Sequence, residues 1–168
     1  MSKNKKTLLI IFLLFIASGS WVLFNQPNLN KAPDISFNTI NGQKLSLHAL
    51  RGKPVLLTFW ATDCPGCIKE IPHLLALHRD YAAKGLTIVA VAMYYDPPEN
   101  VIAMSKEKQL TYPIVLDKKA EISKAFGNIR LTPTNFLISP NGSIAMQKIG
   151  EFDETDMRKR LDKMMRGS

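Results

Sequence analysis

Apolar positions along this chain fall into two kinds of segment that alternate with each other. Nearly continuous apolar runs over 53–60, 86–95 and 112–116 predict buried strands, because a strand covered on both faces is apolar along most of its length. Apolar residues at spacings of three and four over 65–84 predict a long helix that ends at Gly85. Strands that alternate with helices in this way indicate an α/β fold with a mixed central sheet.

Turn sequences predict two hairpins and the start of a further helix. Alternating residues around Asn41-Gly42 indicate an N-terminal hairpin, since Asn-Gly is typical of tight hairpin turns. A second antiparallel hairpin is expected around residues 140–142. Asp96 precedes two prolines and is expected to be a helix N-cap. A charged amphipathic helix over 153–165 ends the predicted fold.

The N-terminus carries a separate signal. Three lysines lie within residues 1–6, and residues 7–24 contain no charge. A helix of that length spans about 27 Å, close to the roughly 30 Å core of a bilayer. We expect a cytoplasmic tail over 1–6, a single transmembrane anchor over 7–24, a linker over 25–33 and an exported working domain over 34–168 on the outer side of the membrane. A signal peptide cleaved near "ASGS" is the alternative.

Composition narrows the classes of function. The chain has 168 residues, of which 46% are hydrophobic, so that it can form one packed domain. Its net charge of +8 is scattered, and the densest basic runs lie at the two ends of the chain. Because no basic stripe is interleaved with aromatic residues, we expect no nucleic-acid partner.

The only two cysteines, Cys64 and Cys67, stand three positions apart, where a predicted buried strand turns into a helix. A structural disulfide there would close too small a loop to stabilise the fold much. Zinc needs about four ligands, and His48, His73 and His78 supply no second pair. A copper-binding assembly protein stays an alternative, since seven methionines could bind Cu(I), although they are dispersed. A redox-active dithiol without metal or cofactor is the favoured interpretation.

Position in the predicted helix gives the two cysteines different roles. Cys64 lies at the helix N-terminus, where free N–H groups and the helix dipole favour a thiolate. We expect Cys64 to be the exposed nucleophile and Cys67 to resolve the mixed disulfide. Glu70 shares the face of Cys67, and a buried carboxylate there would have a raised pKa and could accept the proton of Cys67. An exposed helix glutamate is the alternative.

The stretch "GKPVLLTFWATDCPGCIKEIPHL" resembles the membrane-tethered, extracytoplasmic thioredoxin-fold thiol–disulfide oxidoreductases typified by TlpA, ResA and CcmG. The resemblance extends over roughly residues 32–166 and includes the N-terminal hairpin, the C-x-x-C-x-x-E-x-P motif, a helix–strand insertion over 97–116 and the segment "TPTNFLIS". It implies a thioredoxin-like fold and disulfide exchange without a cofactor. It also implies an exported cysteine-containing protein as substrate and a membrane thiol reductase as electron donor.

The same resemblance assigns residues around the cysteines. It implies that the Thr132-Pro133 bond is cis, that it faces the dithiol, and that both residues leave backbone groups free for an extended substrate. A proline placed just before a strand is the alternative. Trp60 is expected to pack beneath the active-site turn.

Three positions at the dithiol bear on what it does. Asp63 stands where relatives usually carry tryptophan, and Pro65-Gly66 replaces the commoner Pro-Pro or Glu-Pro between the cysteines. The resemblance implies that these positions tune redox potential and partner choice. We expect Asp63 to favour a reductant, with apocytochrome c among the candidate substrates. A thiol oxidant of the same fold is the alternative.

Overall fold

The computed structural model describes residues 31–166 and follows the predicted alternation of strands and helices. The strands are β1 (Ser36–Asn38), β2 (Lys44–Ser46), β3 (Val55–Trp60), β4 (Thr87–Ala92), β5 (Ile114–Leu116), β6 (Thr134–Ile138) and β7 (Ile144–Ile149). The helices are α1 (Pro65–Tyr81), α2 (Pro98–Glu107), α3 (Glu121–Ala125) and α4 (Glu154–Arg166), and a 3₁₀ turn (Ala82–Lys84) follows α1.

The central sheet is mixed because its middle strand pairs differently on its two sides. β3 runs parallel to β4 and antiparallel to β6. β5 adds to β4 in parallel and β7 adds to β6 antiparallel, which gives the order β5-β4-β3-β6-β7. All six residues of β3 are buried, as expected of a strand covered on both faces. The carboxyl end of this buried strand leads directly to the cysteines.

Alternate residues of β3 contribute to two hydrophobic cores, one on each face of the sheet. Leu56 packs in one core with Leu77 of α1 and Leu161 of α4. Phe59 packs in the other core, where its ring lies edge-on to Phe126 at 5.6 Å between centroids. The sheet is therefore held between helices on one face and the α3 region with the N-terminal hairpin on the other.

The predicted hairpins and helix stop are confirmed. β1 and β2 pair antiparallel across the Asn41-Gly42 turn, and Ile40 N–H donates to Ile114 O at 2.8 Å, which attaches this hairpin to the edge of the sheet. β6 and β7 form the second hairpin. Gly85 ends the helical region with φ at +108°, a left-handed conformation that favours glycine. The last turn before it is 3₁₀ rather than α-helical.

The prediction that Asp96 caps a helix is wrong. The N-cap of α2 is Pro97, and no side chain within residues 31–166 caps that helix by a hydrogen bond. The Asp96 carboxylate instead accepts two hydrogen bonds from Thr62, from its N–H and its hydroxyl, each at 2.7 Å. β4 also ends earlier than predicted, and the chain turns through Tyr94 and Tyr95, whose side chains are exposed. This turn therefore supports the loop before Cys64 and does not start a helix.

The predicted tail (1–6), the predicted anchor (7–24) and most of the predicted linker (25–33) lie outside the described residues, so they stay predictions. Within residues 31–166, none of the helices has both the length and the apolar character needed to cross a bilayer.

Candidate active site

The two cysteines lie at the first turn of α1, as predicted. Cys64 is the N-cap of the helix and has an extended backbone, with φ at −97° and ψ at 105°. Its Sγ accepts a hydrogen bond from the Cys67 N–H at 3.2 Å. Pro65 takes the first helical position, where no intrahelical N–H bond is lost. The two sulfur atoms form a disulfide, and the Cα atoms are 5.3 Å apart. In the reduced state the same helix N–H groups can stabilise a Cys64 thiolate.

The cysteines differ in exposure, although less than predicted. Cys64 is 9% exposed and Cys67 is 2% exposed, so Cys64 is the sulfur that a partner meets first. The prediction of an openly exposed Cys64 is wrong for this disulfide form, because Cys64 packs in the same apolar cluster as Trp60 and Ala61. Trp60 is buried at the end of β3 and belongs to the same buried cluster as both cysteines, which agrees with the expectation that it packs beneath the active-site turn. Its indole N–H has no hydrogen-bond partner in the part of the chain that the structure covers.

Glu70 lies behind Cys67 and is only 1% exposed, so its predicted burial is confirmed and the exposed alternative is wrong. Its Oε1 accepts hydrogen bonds from Asn135 Nδ2 at 2.9 Å and from Phe152 N–H at 3.0 Å. Burial raises the pKa of Glu70 to about 7, although both hydrogen bonds favour the charged form. A carboxyl group with that pKa can accept and return a proton near neutral pH.

The cis-proline lies against the turn between the cysteines. The Thr132-Pro133 peptide bond is cis, as the resemblance implied. A Cβ atom placed on Gly66 would lie 3.3 Å from Cδ of Pro133, which shows how closely the two segments approach. Pro133 O accepts a hydrogen bond from Gly150 N–H at 2.8 Å, so the prediction that Pro133 also keeps a free backbone group is wrong. Among residues 31–166, no partner binds the N–H or C=O of Thr132, and these groups can pair with a substrate.

Residues Gly150–Phe152, here called the closing segment, connect the cis-proline to the buried carboxylate. Gly150 bonds to Pro133, Phe152 bonds to Glu70, and Asn135 Nδ2 bonds to both Glu70 Oε1 and Gly150 O, the latter at 3.4 Å. Sequence reasoning missed this segment and Asn135. The available signal was an amide residue inside the strand β6, sequence TNFLI, because a buried amide needs a partner.

Asp63 is exposed directly before Cys64, on the loop that Asp96 supports. Its carboxylate has no hydrogen bond or ion pair with any residue of the described range. The loop itself is fixed, since Met93 N–H also donates to Trp60 O at 3.0 Å. Asp63 therefore places an unpaired negative charge beside the first cysteine.

The three histidines lie in three different surroundings and do not form a second ligand pair beside the cysteines. His48 is exposed, His73 pairs with Glu154, and the ring of His78 packs edge-on against Tyr112. Burial lowers the pKa of His78 below its usual value. Across the described residues, no group of three or more His, Cys, Asp or Glu side chains could hold a metal ion.

Comparisons with known proteins agree with this geometry. The sequence profile of the family described as Redoxin matches residues 28–165. Thiol-disulfide oxidoreductase ResA of Bacillus cereus is 32% identical, with 98% of this chain and 99% of the relative covered. Thioredoxin-like protein YneN of Bacillus subtilis is 32% identical over 91% of this chain and 94% of the relative. The crystal structure of a thiol:disulfide interchange protein of the thioredoxin family from Chlorobium tepidum superposes with a TM-score of 0.74 at 28% identity, covering 82% of this chain and 97% of that chain.

Proposed function

The chain belongs to the Redoxin family and is a thioredoxin-like thiol–disulfide oxidoreductase, and we propose that it works as a disulfide reductase for exported proteins. The substrate, here called the client, is an exported protein that carries a disulfide, and apocytochrome c is one candidate. In this proposal the anchor over residues 7–24 holds the domain at the outer face of a bacterial cytoplasmic membrane. A membrane thiol reductase supplies the electrons.

The first step is attack of the Cys64 thiolate on one sulfur of the client disulfide. That sulfur becomes bonded to Cys64 in a mixed disulfide, and the other client sulfur leaves as a thiolate. N–H groups at the start of α1 stabilise the attacking thiolate. The free backbone groups of Thr132 hold the client segment in an extended conformation beside the new bond.

The second step releases the client. The Glu70 carboxylate accepts the proton of the Cys67 thiol, and the Cys67 thiolate then attacks Sγ of Cys64. The second client sulfur leaves as a thiolate, so two electrons have passed to the client and the chain keeps the Cys64–Cys67 disulfide. The membrane reductase restores the dithiol by the reverse exchange, and Glu70 returns its proton.

The single observation that carries this proposal is the buried carboxylate of Glu70, one helical turn from Cys67, whose Oε1 accepts two hydrogen bonds. The pKa of about 7 lets Glu70 serve both as proton acceptor and as proton donor at neutral pH. A role as reductant is supported by exposed Asp63, whose negative charge opposes the Cys64 thiolate and so disfavours the reduced form.

The direction of electron flow is tested by the reduction potential of the Cys64–Cys67 couple. The full chain is equilibrated with thiol–disulfide buffers of known potential, and its free thiols are counted. We expect a value well below about −180 mV and nearer to −270 mV, the range of thioredoxin. A value near −120 mV, typical of a strong oxidant, would contradict the proposal and favour the thiol oxidant. A variant with both cysteines replaced by serine is the blank.

The location is tested by fractionation of cells that produce the full chain. An anchor over residues 7–24 should keep the protein in the membrane fraction after a high-salt wash. Recovery of a soluble form that begins near Ser20 or Trp21 would show instead that the segment is cleaved.

A further inference from the structure

The carboxylate of Glu151 lies beside the turn between the two cysteines, and the reaction described above does not use it. A Cβ atom placed on Gly66 would be 3.4 Å from Glu151 Oε1 and 3.3 Å from Pro133 Cδ. Gly66 stands between Cys64 and Cys67 and lacks a side chain that would push these neighbours away. Glu151 and the cis-proline therefore border the same side of the dithiol turn.

The backbone on both sides of Glu151 is fixed by the active site. Gly150 N–H donates to Pro133 O at 2.8 Å, and Phe152 N–H donates to Glu70 Oε1 at 3.0 Å. These two bonds hold the closing segment against the cis-proline and against helix α1, which carries Glu70. The backbone position of Glu151 is therefore set by the site itself and not by a free loop.

The charge of Glu151 has no partner in the described range. Its side chain is exposed and makes no ion pair or hydrogen bond with residues 31–166. Carboxylates a few residues further on are paired, since Glu154 binds Arg158 and Asp156 binds Arg160. The negative charge of Glu151 also acts on the buried carboxyl group of Glu70, because its repulsion contributes to the raised pKa of Glu70. Glu151 thus presents a free negative charge where a client must approach.

We propose that Glu151 is a specificity-determining residue of the dithiol site, which favours clients that carry lysine or arginine next to the reacting cysteine. The inference rests on the proposed function. A client bonded to Cys64 and paired with Thr132 must pass Pro133, so a side chain next to its cysteine comes within reach of Glu151. A cation there is attracted and a carboxylate is repelled.

The test compares two disulfide peptides that differ only in a lysine or a glutamate next to the cysteine. The prereduced full chain is mixed with each peptide, and the second-order rate constant of exchange is measured in a single turnover. We expect the lysine peptide to react about two- to fivefold faster, the range that one exposed ion pair provides. The rate ratio should decrease when the salt concentration is raised from about 0.01 M to about 1 M, because salt screens exposed charges.

Two variants assign the preference to Glu151. Glu151→Gln should lower the rate ratio, although the charge of Asp63 should keep a smaller preference for the lysine peptide. Glu151→Lys should reverse the contribution of this position to the ratio. The matched control is Asp34→Lys, since Asp34 is exposed and lies at the other end of the sheet from the dithiol. Ala32 N–H donates to Gly142 O there, which places this part of the chain beside the Gly142 turn. That control should keep the wild-type ratio.

Three results would overturn the inference. Equal rates with both peptides would do so, as would a ratio that Glu151→Lys leaves unchanged or a ratio that salt does not alter. Absence of exchange with either peptide would overturn the proposed function itself, and this inference with it.

Discussion

The two sides of the Cys64–Cys67 disulfide differ in how their carboxylates are held. On the interior side, Glu70 is 1% exposed, accepts two hydrogen bonds and has a pKa raised to about 7. On the solvent side, Asp63 and Glu151 are exposed and have no partner in the part of the chain that is described. Burial changes the acidity of a carboxyl group, whereas an exposed carboxylate acts only through its screened charge. We therefore expect the interior side to serve proton transfer, and the solvent side to serve redox tuning and client choice.

The largest expected effect separates the two cysteines. Cys67→Ser should accumulate mixed disulfides with client proteins through Cys64, because no resolving thiol remains. Cys64→Ser should trap none, because the remaining Cys67 is 2% exposed. Non-reducing gels of cell extracts measure the trapped species. Equal trapping by the two variants would contradict the assignment of Cys64 as the nucleophile and Cys67 as the resolving thiol.

Glu70 should make the folded state lose stability as pH rises. Its pKa is about 7 in the folded protein and 4.5 as the ordinary value, so between these pH values the folded state binds more protons than the unfolded state. The free energy of unfolding should fall by about 3 kcal/mol across that window. Glu70→Gln, which keeps a carbonyl oxygen for Asn135 and Phe152, should remove this fall.

Urea unfolding of the oxidised full chain at pH 5 and pH 8 measures the effect. Asp34→Asn is the control and should keep the wild-type pH dependence, since Asp34 is exposed. The same pH dependence in wild type and Glu70→Gln would show that the buried carboxyl group is not the titrating group.

Glu70→Gln should also slow the release of the client, by about 10²-fold, the lower end of what a general base contributes. The decay of a preformed mixed disulfide isolates this step from the attack by Cys64. The wild-type rate should rise with pH through about 7, because Glu70 must lose its proton before it can accept that of Cys67. The variant should lack this rise, and its first step should keep the wild-type rate. An unchanged decay rate would exclude Glu70 as the base.

Local sequence patterns correctly predicted those features of the fold that depend on neighbouring residues in the chain. The apolar run of β3, the period of α1 and the Asn41-Gly42 turn each specify their own element, and the place of Cys64 follows from where a strand meets a helix. The resemblance added the cis bond before Pro133, which spacing alone could not supply.

Contacts between distant parts of the chain escaped prediction. Phe152 N–H binds a carboxylate 82 positions away, and Asp96 binds Thr62, 34 positions away. A local rule assigned Asp96 to its own helix, but the two donors of Thr62 bind its carboxylate in the folded chain. Glu151 gave no signal at all, because only the fold brings its carboxylate to the dithiol turn.

The smallest expected effect tests the solvent side through Asp63. At about 6–8 Å and an effective dielectric near 40, its charge would oppose the Cys64 thiolate by roughly 1–1.4 kcal/mol. The helix dipole acts in the opposite direction with about 0.3–1 kcal/mol, and sometimes up to about 2. Removing the charge should favour the thiolate and hence the reduced form.

Asp63→Asn should therefore raise the reduction potential by up to about 30 mV, since 30 mV corresponds to about 1.4 kcal/mol for two electrons. Because Asp63 is exposed, salt should shrink the shift, and a measurement at low ionic strength gives the largest value. Equilibration with glutathione buffers measures it, and Asp34→Asn is the control that should leave the potential unchanged. A potential that Asp63→Asn does not raise at low salt would mean that this carboxylate does not tune the couple, and the proposed reducing role would then lose this support.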